Sequence, residues 1–141
     1  EAFKSAAAYP LPKEPSIVVL PFVNSSGDRK QAYFSEGLSE DIMADLTKVS
    51  GLFVVGRNSA FSYRGKVVKA KFVGRDLGVR YVLQGSVRRA DDRVRVSAFL
   101  VDAVTGRTIW SGRHDRKLQD IFAVQDDISG QVVKALAVGF R

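Results

Sequence analysis

The chain has 141 residues, of which 45% are hydrophobic and 26% are charged, and its formal net charge is +7. This length suits one domain with one core, and the composition is far from that of disordered chains. The absence of cysteine excludes disulfides, thiolate catalysis and cysteine-bound zinc. No apolar run approaches the roughly 20 residues that span a bilayer, so we expect a soluble fragment and a cytoplasmic location.

The amino-terminal segment is punctuated by prolines and lacks hydrophobic periodicity, which predicts a linker over residues 1–15. The apolar, β-branched run at 17–23 predicts a buried strand. Because proline cannot donate to a strand ladder, we expect that strand to end near Pro21. The polar residues 24–28 then predict a turn.

Apolar residues recur at helical spacing between positions 34 and 49, which predicts a helix with Ser35 as its N-cap and Gly51 as its stop. A short apolar strand is predicted at 52–55, so the chain opens with a β-α-β unit whose strands are parallel. A second helix is predicted over about 68–77, where Gly78 ends it.

The hydrophobic period changes to two after residue 79, which predicts strands near 79–90, 93–103 and 107–116. Their short connections predict an antiparallel meander. A last amphipathic helix should begin after Asp120 as N-cap, and Gly130 inside it predicts close packing there.

These elements predict a single α/β (α+β mixed) domain over residues 16–138. Its order is β-α-β-α-β-β-β-α, and it should contain a five-stranded mixed sheet with helices packed on it. No internal repeat is apparent in the sequence. The chain therefore predicts one structural unit after a linker.

Groups suited to catalysis are scarce. His114 is the only histidine, which excludes a site built from several histidines, and we interpret it as a surface or paired side chain. Asp126 and Asp127 would point about 100° apart on a helix, which is poor geometry for a shared task. Gly65 and Lys66 lack the first glycine and the Ser/Thr of a phosphate-binding loop. We therefore predict no catalytic residue, no metal site and no cofactor in this fragment.

The densest cluster of polar, aromatic and basic side chains outside predicted regular structure is the segment 56–66. It follows a predicted parallel strand, and ligands in open α/β sheets tend to bind beyond the carboxyl ends of such strands. Hydrogen-bonding, stacking and cationic groups there give the predicted ligand-binding residues Arg57, Asn58, Ser59, Tyr63, Arg64 and Lys66. The alternative is a connection whose Phe61 and Tyr63 fill the core edge while its polar groups cap turns.

The middle third of the chain is strongly basic. Between residues 57 and 95, eleven Lys and Arg residues meet only three Asp residues. This imbalance is typical of an electrostatic footprint for nucleic acid, a nucleotide or an acidic partner. A solvated sheet face with flanking turns is the alternative explanation.

Several ordered blocks of sequence carry a family resemblance. They resemble the TolB-like domain of bacterial signalling proteins over about residues 15–130. The blocks are PSIVVLPF at 15–22, YFSEGLSEDI at 33–42, RNSAFSYRGK at 57–66, LGVRYVLQGSVRR at 77–89 and DAVTGRTIW at 102–110. The resemblance implies a fold similar to the amino-terminal domain of TolB, which is itself similar to the anticodon-binding domain of class II aminoacyl-tRNA synthetases.

The same resemblance implies a place in a larger protein. Such domains commonly lie between a class III adenylate/guanylate cyclase catalytic domain and tetratricopeptide repeats, whereas others follow a DNA-binding winged helix or a protein kinase. The proline-rich start of this chain is most similar to the cyclase arrangement. The metal-binding aspartates and the Asn/Arg pair of the cyclase domain have no counterpart among these residues.

Together, the resemblance and the missing chemistry predict a non-catalytic regulatory domain that binds a ligand or a partner and is attached to a cyclase. We expect a protein partner or neighbouring domains of the same chain, and an exposed strand edge leaves a homodimer open. The alternatives are a sensor domain of a winged-helix transcriptional regulator, a nucleic-acid-binding module, and an enzyme in its own right. The enzyme would need His114, Asp115 and a pocket to converge.

Overall fold

The computed structural model describes residues 15–27 and 29–139. Most of the predicted linker and the last residue of the predicted turn, Asp28, lie outside the described residues. The elements of the described chain are β1 Ser16–Val19, β2 Val23–Asn24, α1 Ala32–Thr47, β3 Phe53–Val54, α2 Arg57–Phe61, α3 Ala70–Leu77, β4 Tyr81–Ala90, β5 Arg93–Asp102, β6 Arg107–Lys117 and α4 Ile121–Gly139. Short 3-10 turns at Arg29–Gln31 and Leu118–Asp120 precede α1 and α4.

One mixed sheet organises these elements in the order β3-β1-β4-β5-β6. β1 pairs in parallel with β3 and β4, and β4, β5 and β6 form the predicted antiparallel meander. The predicted mixed sheet with packed helices is therefore confirmed, but it has six strands instead of the expected five. The predicted first strand is divided into two, because β2 also pairs in parallel with β4 after an interruption around Pro21.

Helices cover one face of the meander. α1 and α4 pack against each other, and α4 also packs against β5 and β6. The apolar side chains of β5 that alternate along the strand, Val94, Val96, Ala98 and Leu100, are all buried. Val96 lies opposite His114, which reaches α4, so this row marks the helix-covered face of the sheet. The intervening side chains of β5 point to the other face.

The break in the first strand is held in place by α1. The backbone N–H of Phe22 donates to the hydroxyl of Ser39 at 2.7 Å, and both residues are buried. The ring of Phe22 lies over Gly85 of β4, where an added Cβ would come within 2.5 Å of it. A glycine inside a strand often marks such a close approach. The contact fixes the path of the chain between β1 and β2.

β6 forms one edge of the sheet and contains an irregularity. Leu100 lies opposite Trp110, whereas Val101 lies opposite Thr108, so Ile109 is an extra residue in the edge strand. Such a bulge bends its strand and increases the local twist. The sheet therefore ends in a long, bent edge.

Several predictions of helix boundaries are wrong. Ser35 is not an N-cap, because the 3-10 turn before α1 starts the helix at Ala32, and the Ser35 hydroxyl donates to the Ala32 carbonyl within the helix. α1 ends at Thr47 with Lys48 as its C-cap, so Gly51 belongs to the following turn, with φ of +82°.

The predictions at the two other helices differ in outcome. Gly78 ends α3 in the left-handed conformation, with φ of +66°, as the sequence predicts. Asp120 ends the 3-10 turn directly before α4, and its role as N-cap stays a prediction. The prediction of close packing at Gly130 is wrong, because this residue faces solvent and an added Cβ would meet no atom within 4 Å. Among the described residues, no helix is long and apolar enough to cross a membrane.

Candidate functional site

The segment predicted to bind a ligand follows β3 and is partly helical. It was expected outside regular structure, but residues Arg57–Phe61 form α2. Gly56 precedes this helix in an extended conformation, and its carbonyl accepts the backbone N–H of Ala60. A turn follows, with Gly65 in the left-handed region at φ of +75°. The segment therefore presents its side chains from a short helix and a tight turn.

Two of the predicted ligand-binding arginines are bound by α1. Arg57 Nε donates to Glu40 Oε2 at 2.5 Å, and Arg64 Nε forms a salt bridge with Glu36 Oε2 at 2.7 Å. Both guanidinium groups also lie near the ring of Phe61, at 4.3 and 5.3 Å from its centroid. The two glutamates are one helical turn apart on α1, so they can hold both arginines at once. These contacts join α2 to α1.

The two polar residues between these arginines face solvent. Asn58 and Ser59 are exposed on α2, and their carbonyl oxygens accept the backbone N–H of Ser62. The hydroxyl of Ser62 also donates to the Ser59 carbonyl at 2.6 Å. The side chains of Asn58 and Ser59 do not line the pocket that their neighbours form.

Tyr63 and Lys66 line a pocket of about 320 Å³ at the carboxyl end of β1. Its wall is mostly apolar, and its lining residues are Leu20, Pro21, Val23, Tyr63, Gly65, Lys66, Val67, Val68, Gln84 and Gly85. The interruption between β1 and β2 forms one side of this pocket, and β4 forms another. The structure thus brings two of the six predicted residues to a cleft beyond a parallel strand, and it places the other four outside that cleft.

Tyr63 is held by α3. Its hydroxyl donates to Asp76 Oδ2. Burial raises the pKa of the phenol well above its usual range, and the hydrogen bond and the negative charge of Asp76 raise it further. Tyr63 is therefore neutral at ordinary pH, and its proton is already donated. Tyr63 is only 7% exposed and belongs to the hydrophobic core together with Phe61, as the alternative interpretation of this segment expects. The stacking role predicted for Tyr63 stays a prediction.

The remaining polar groups of the pocket are available. Within the described chain, neither the Lys66 ammonium nor the Gln84 amide has a side-chain partner. An apolar wall with a few converging polar groups is the usual composition of a small-molecule site. This pocket can therefore hold a ligand with an apolar body and an anionic or hydrogen-bond-accepting group.

The two side chains that the enzyme alternative would need, His114 and Asp115, do not converge. His114 Nε2 donates to Asp127 Oδ2 at 2.7 Å, whereas Asp115 points to the opposite face of β6 and accepts from Arg95. His114 is thus a paired histidine, as we interpreted it. In residues 15–27 and 29–139, no three His, Asp or Glu side chains are grouped so that they could hold a metal ion.

Sequence reasoning missed the residues that other elements bring to the pocket. Leu20 and Pro21 come from the end of β1, and Gln84 and Gly85 come from the middle of β4. The available signal was Gly85 inside a strand pattern, which indicates a close approach of another part of the chain. The parallel pairing of β1 with β4 was needed to place these groups beside Tyr63.

The fold and this pocket define a small mixed α/β domain with a ligand-sized cleft where one strand of the sheet is interrupted. The family model of the TolB amino-terminal domain matches residues 11–109. The chain belongs to this family, which confirms the resemblance inferred from the sequence blocks.

A protein of Rhizobium meliloti (strain 1021), named "Putative adenylate cyclase 3", is 57% identical to this chain over 128 residues. The match covers 91% of this chain and 22% of the relative, so the chain spans about a fifth of that protein's length. The relative and the family together support a domain of a cyclase-associated protein. They do not favour the winged-helix or nucleic-acid alternative.

Two solved structures are similar in fold. TolB from Acinetobacter baumannii matches with a TM-score of 0.66 at 19% identity, over 92% of this chain and 30% of TolB. Lipoprotein GNA1162 from Neisseria meningitidis matches with a TM-score of 0.61 at 22% identity, over 84% of this chain and 96% of the lipoprotein. At these identities the likeness shows the fold alone, and it confirms the expected similarity to the amino-terminal domain of TolB.

Proposed function

We propose that this chain is a non-catalytic regulatory domain of a bacterial adenylate/guanylate cyclase. It binds a small ligand or a partner protein and adjusts the production of cyclic nucleotide for intracellular signal transduction. The catalytic domain and tetratricopeptide repeats lie elsewhere in the longer parent protein, which works in the cytoplasm. The relative named as an adenylate cyclase supports this proposal, because the matched region is 22% of that protein.

The observation that carries the proposal is the pocket at the interrupted strand. Its volume of about 320 Å³ suits a small ligand, and its polar groups converge on an apolar wall. Lys66 and Gln84 contact the polar part of that ligand, and Tyr63 contacts its apolar part. The domain needs no cofactor of its own for this task.

The contacts around the pocket also offer a route to the rest of the domain. Tyr63 is joined to α3 through Asp76, and Arg64 on the same turn is joined to α1 through Glu36. A ligand that moves this turn therefore acts on two helices at once. In this proposal Arg57 and Arg64 position the turn, whereas Tyr63 and Lys66 touch the ligand.

The first test is deletion of residues 16–138 from the full-length parent protein. We expect the deletion to change the basal cyclase activity or the change in activity that added cell extract causes. Cyclic nucleotide formation is measured for both proteins at equal concentration. Unchanged activity together with an unchanged response would reject the regulatory role.

A second test addresses the pocket. Val23 lines the pocket and its side chain is 63% exposed, so Val23→Trp fills the cleft without disturbing the core. Val104 is 56% exposed in the turn after β5, away from the pocket, so Val104→Trp is the matched control. We expect only Val23→Trp to remove the response of the parent enzyme. The same response in both variants would show that the pocket is not the regulatory site.

A further inference from the structure

One face of the β4-β5-β6 meander carries a cluster of basic side chains. We call it the arginine face. The antiparallel register aligns three rows of residues across the sheet near the β4–β5 turn. The cations of the arginine face are Arg88, Arg93, Arg95, Arg113 and Lys117.

All five cations are exposed. The adjacent row, which includes Val87 and Val96, points to the opposite face and is buried. Since successive side chains of a strand alternate between the faces, the basic rows stand away from α4 and towards solvent. The arginine face is thus a surface that no helix of the described chain covers.

The charges on this face are poorly balanced. Arg88 lies directly opposite Arg95 across the strand pair, and like charges in that position are destabilising. Asp115 is the carboxylate in these rows, and it accepts from Arg95 Nε at 2.6 Å and from Arg113 Nη2 at 3.5 Å. In the described chain, Arg88 and Arg93 have no acidic partner. The face therefore retains cations that a ligand can neutralise.

Asp115 shows which chemistry this face accepts. Its carboxylate lies between two guanidinium groups, which lower its pKa below the usual value. A shallow hollow of about 580 Å³ beside it is lined by Arg88, Arg93 and Arg95. Neighbouring rows are two residues apart on each strand, or about 7 Å, and alternate side chains of an extended peptide have the same spacing.

We infer that the arginine face is a docking surface for a carboxylate-rich segment of a partner protein. The segment lies across the rows in extended form, and its carboxylates pair with Arg88 and Arg93. A single-stranded nucleic acid fits less well, because single strands bind mainly by stacking of bases on aromatic side chains. Phe99, which is 44% exposed, is the aromatic side chain of this face within the described residues.

The test is binding of a fluorescent oligoglutamate peptide to the 141-residue chain, measured by anisotropy at low and moderate salt. Arg88→Ala and Arg93→Ala should each weaken binding about 1.5- to fivefold, the size expected for exposed ion pairs. Asp115→Asn should strengthen binding, because it removes the carboxylate that competes for Arg95. Opposite effects on one surface are difficult to obtain from a general change in stability.

Arg75 is the matched control. It is exposed on α3 without an acidic partner in the described chain, and α3 contacts Ala103, which directly follows the far end of β5. Arg75→Ala removes the same charge but should leave peptide binding unchanged. Equal losses in the Arg75, Arg88 and Arg93 variants would overturn the inference. So would tighter binding of a single-stranded oligonucleotide of equal charge that depends on Arg88 and Arg93.

Discussion

Replacing Gly85 by alanine should strongly destabilise the domain. An added Cβ at this position would lie 2.4 Å from the carbonyl oxygen of Ser97 and 2.5 Å from Cε2 of Phe22. Neither neighbour can move easily. The Ser97 oxygen belongs to the backbone of β5, and the buried ring of Phe22 is fixed because its backbone N–H donates to Ser39.

The size of the effect follows from these contacts. Forcing an extra methyl group into a packed core costs about 1–3 kcal/mol. Because one of the two obstructing groups is backbone, we expect the upper end, about 3 kcal/mol. For a chain of this size that loss lowers Tm by roughly 10 °C. The total stability of such domains is about 5–15 kcal/mol, so the variant should still fold.

Thermal unfolding followed by circular dichroism measures this loss. Gly37→Ala is the control, because Gly37 lies within α1 and an added Cβ there meets no atom within 4 Å. The control should gain about 0.5–1 kcal/mol from its helix propensity. If both variants shift Tm in the same direction by similar amounts, the close approach of Phe22 to β4 is not the constraint described here.

Four further changes test individual contacts. Ser39→Ala leaves the buried N–H of Phe22 without an acceptor and should cost about 1–3 kcal/mol in urea unfolding. Gly130→Ala, at an exposed site in α4, should add about 1 kcal/mol by the same measurement. The pKa of Asp127 is lowered mainly by the hydrogen bond from the His114 imidazole. Asp127 therefore stabilises the fold above pH 3.8, and this stabilisation is lost as pH falls through the folded pKa. Asp127→Asn should flatten that acid loss of stability. The pKa of Tyr63 is raised mainly by burial. Neutral Tyr63 therefore stabilises the fold below pH 10.0, and this stabilisation is lost as pH rises through the folded pKa. Tyr63→Phe should reduce alkaline unfolding.

For each of these four variants, one outcome would contradict the expectation. Ser62→Ala removes an exposed hydroxyl bond, so an equal loss in that variant would contradict the role assigned to Ser39. A loss of stability in Gly130→Ala would mean that this position is packed after all. If the stability of Asp127→Asn or Tyr63→Phe changes with pH as steeply as that of the unsubstituted 141-residue chain, the corresponding titration argument is contradicted.

The antiparallel meander could be predicted because its burial follows the sequence period directly. Val94, Val96 and Leu100 are buried at every second position, and the predicted strand bounds differ from the observed ones by one or two residues at most. The end of α3 could be predicted for a local reason, since Gly78 takes a conformation that other residues avoid. Local patterns determine these elements, so the sequence alone reveals them.

The start of α1 and much of the candidate site could not be predicted in this way. Ser35 has the chemistry of an N-cap, but the chain begins the helix earlier through the 3-10 turn. Arg57 and Arg64 have the chemistry of anion-binding residues, but two glutamates on α1 already bind them. Only tertiary contacts show which partner takes a given charge. The ligand-binding role of the six residues remains a prediction.

The bent edge strand β6 has a consequence for the behaviour of the chain in solution. An unpaired edge can pair with the same edge of another copy, and natural sheets discourage this with bulges and charged side chains. β6 has both, since Ile109 interrupts its register and Arg113 and Lys117 lie along it. We therefore expect these two edge cations, which belong to the arginine face, to oppose the pairing of two copies by electrostatic repulsion. High salt screens that repulsion, so it should favour self-association while it weakens docking.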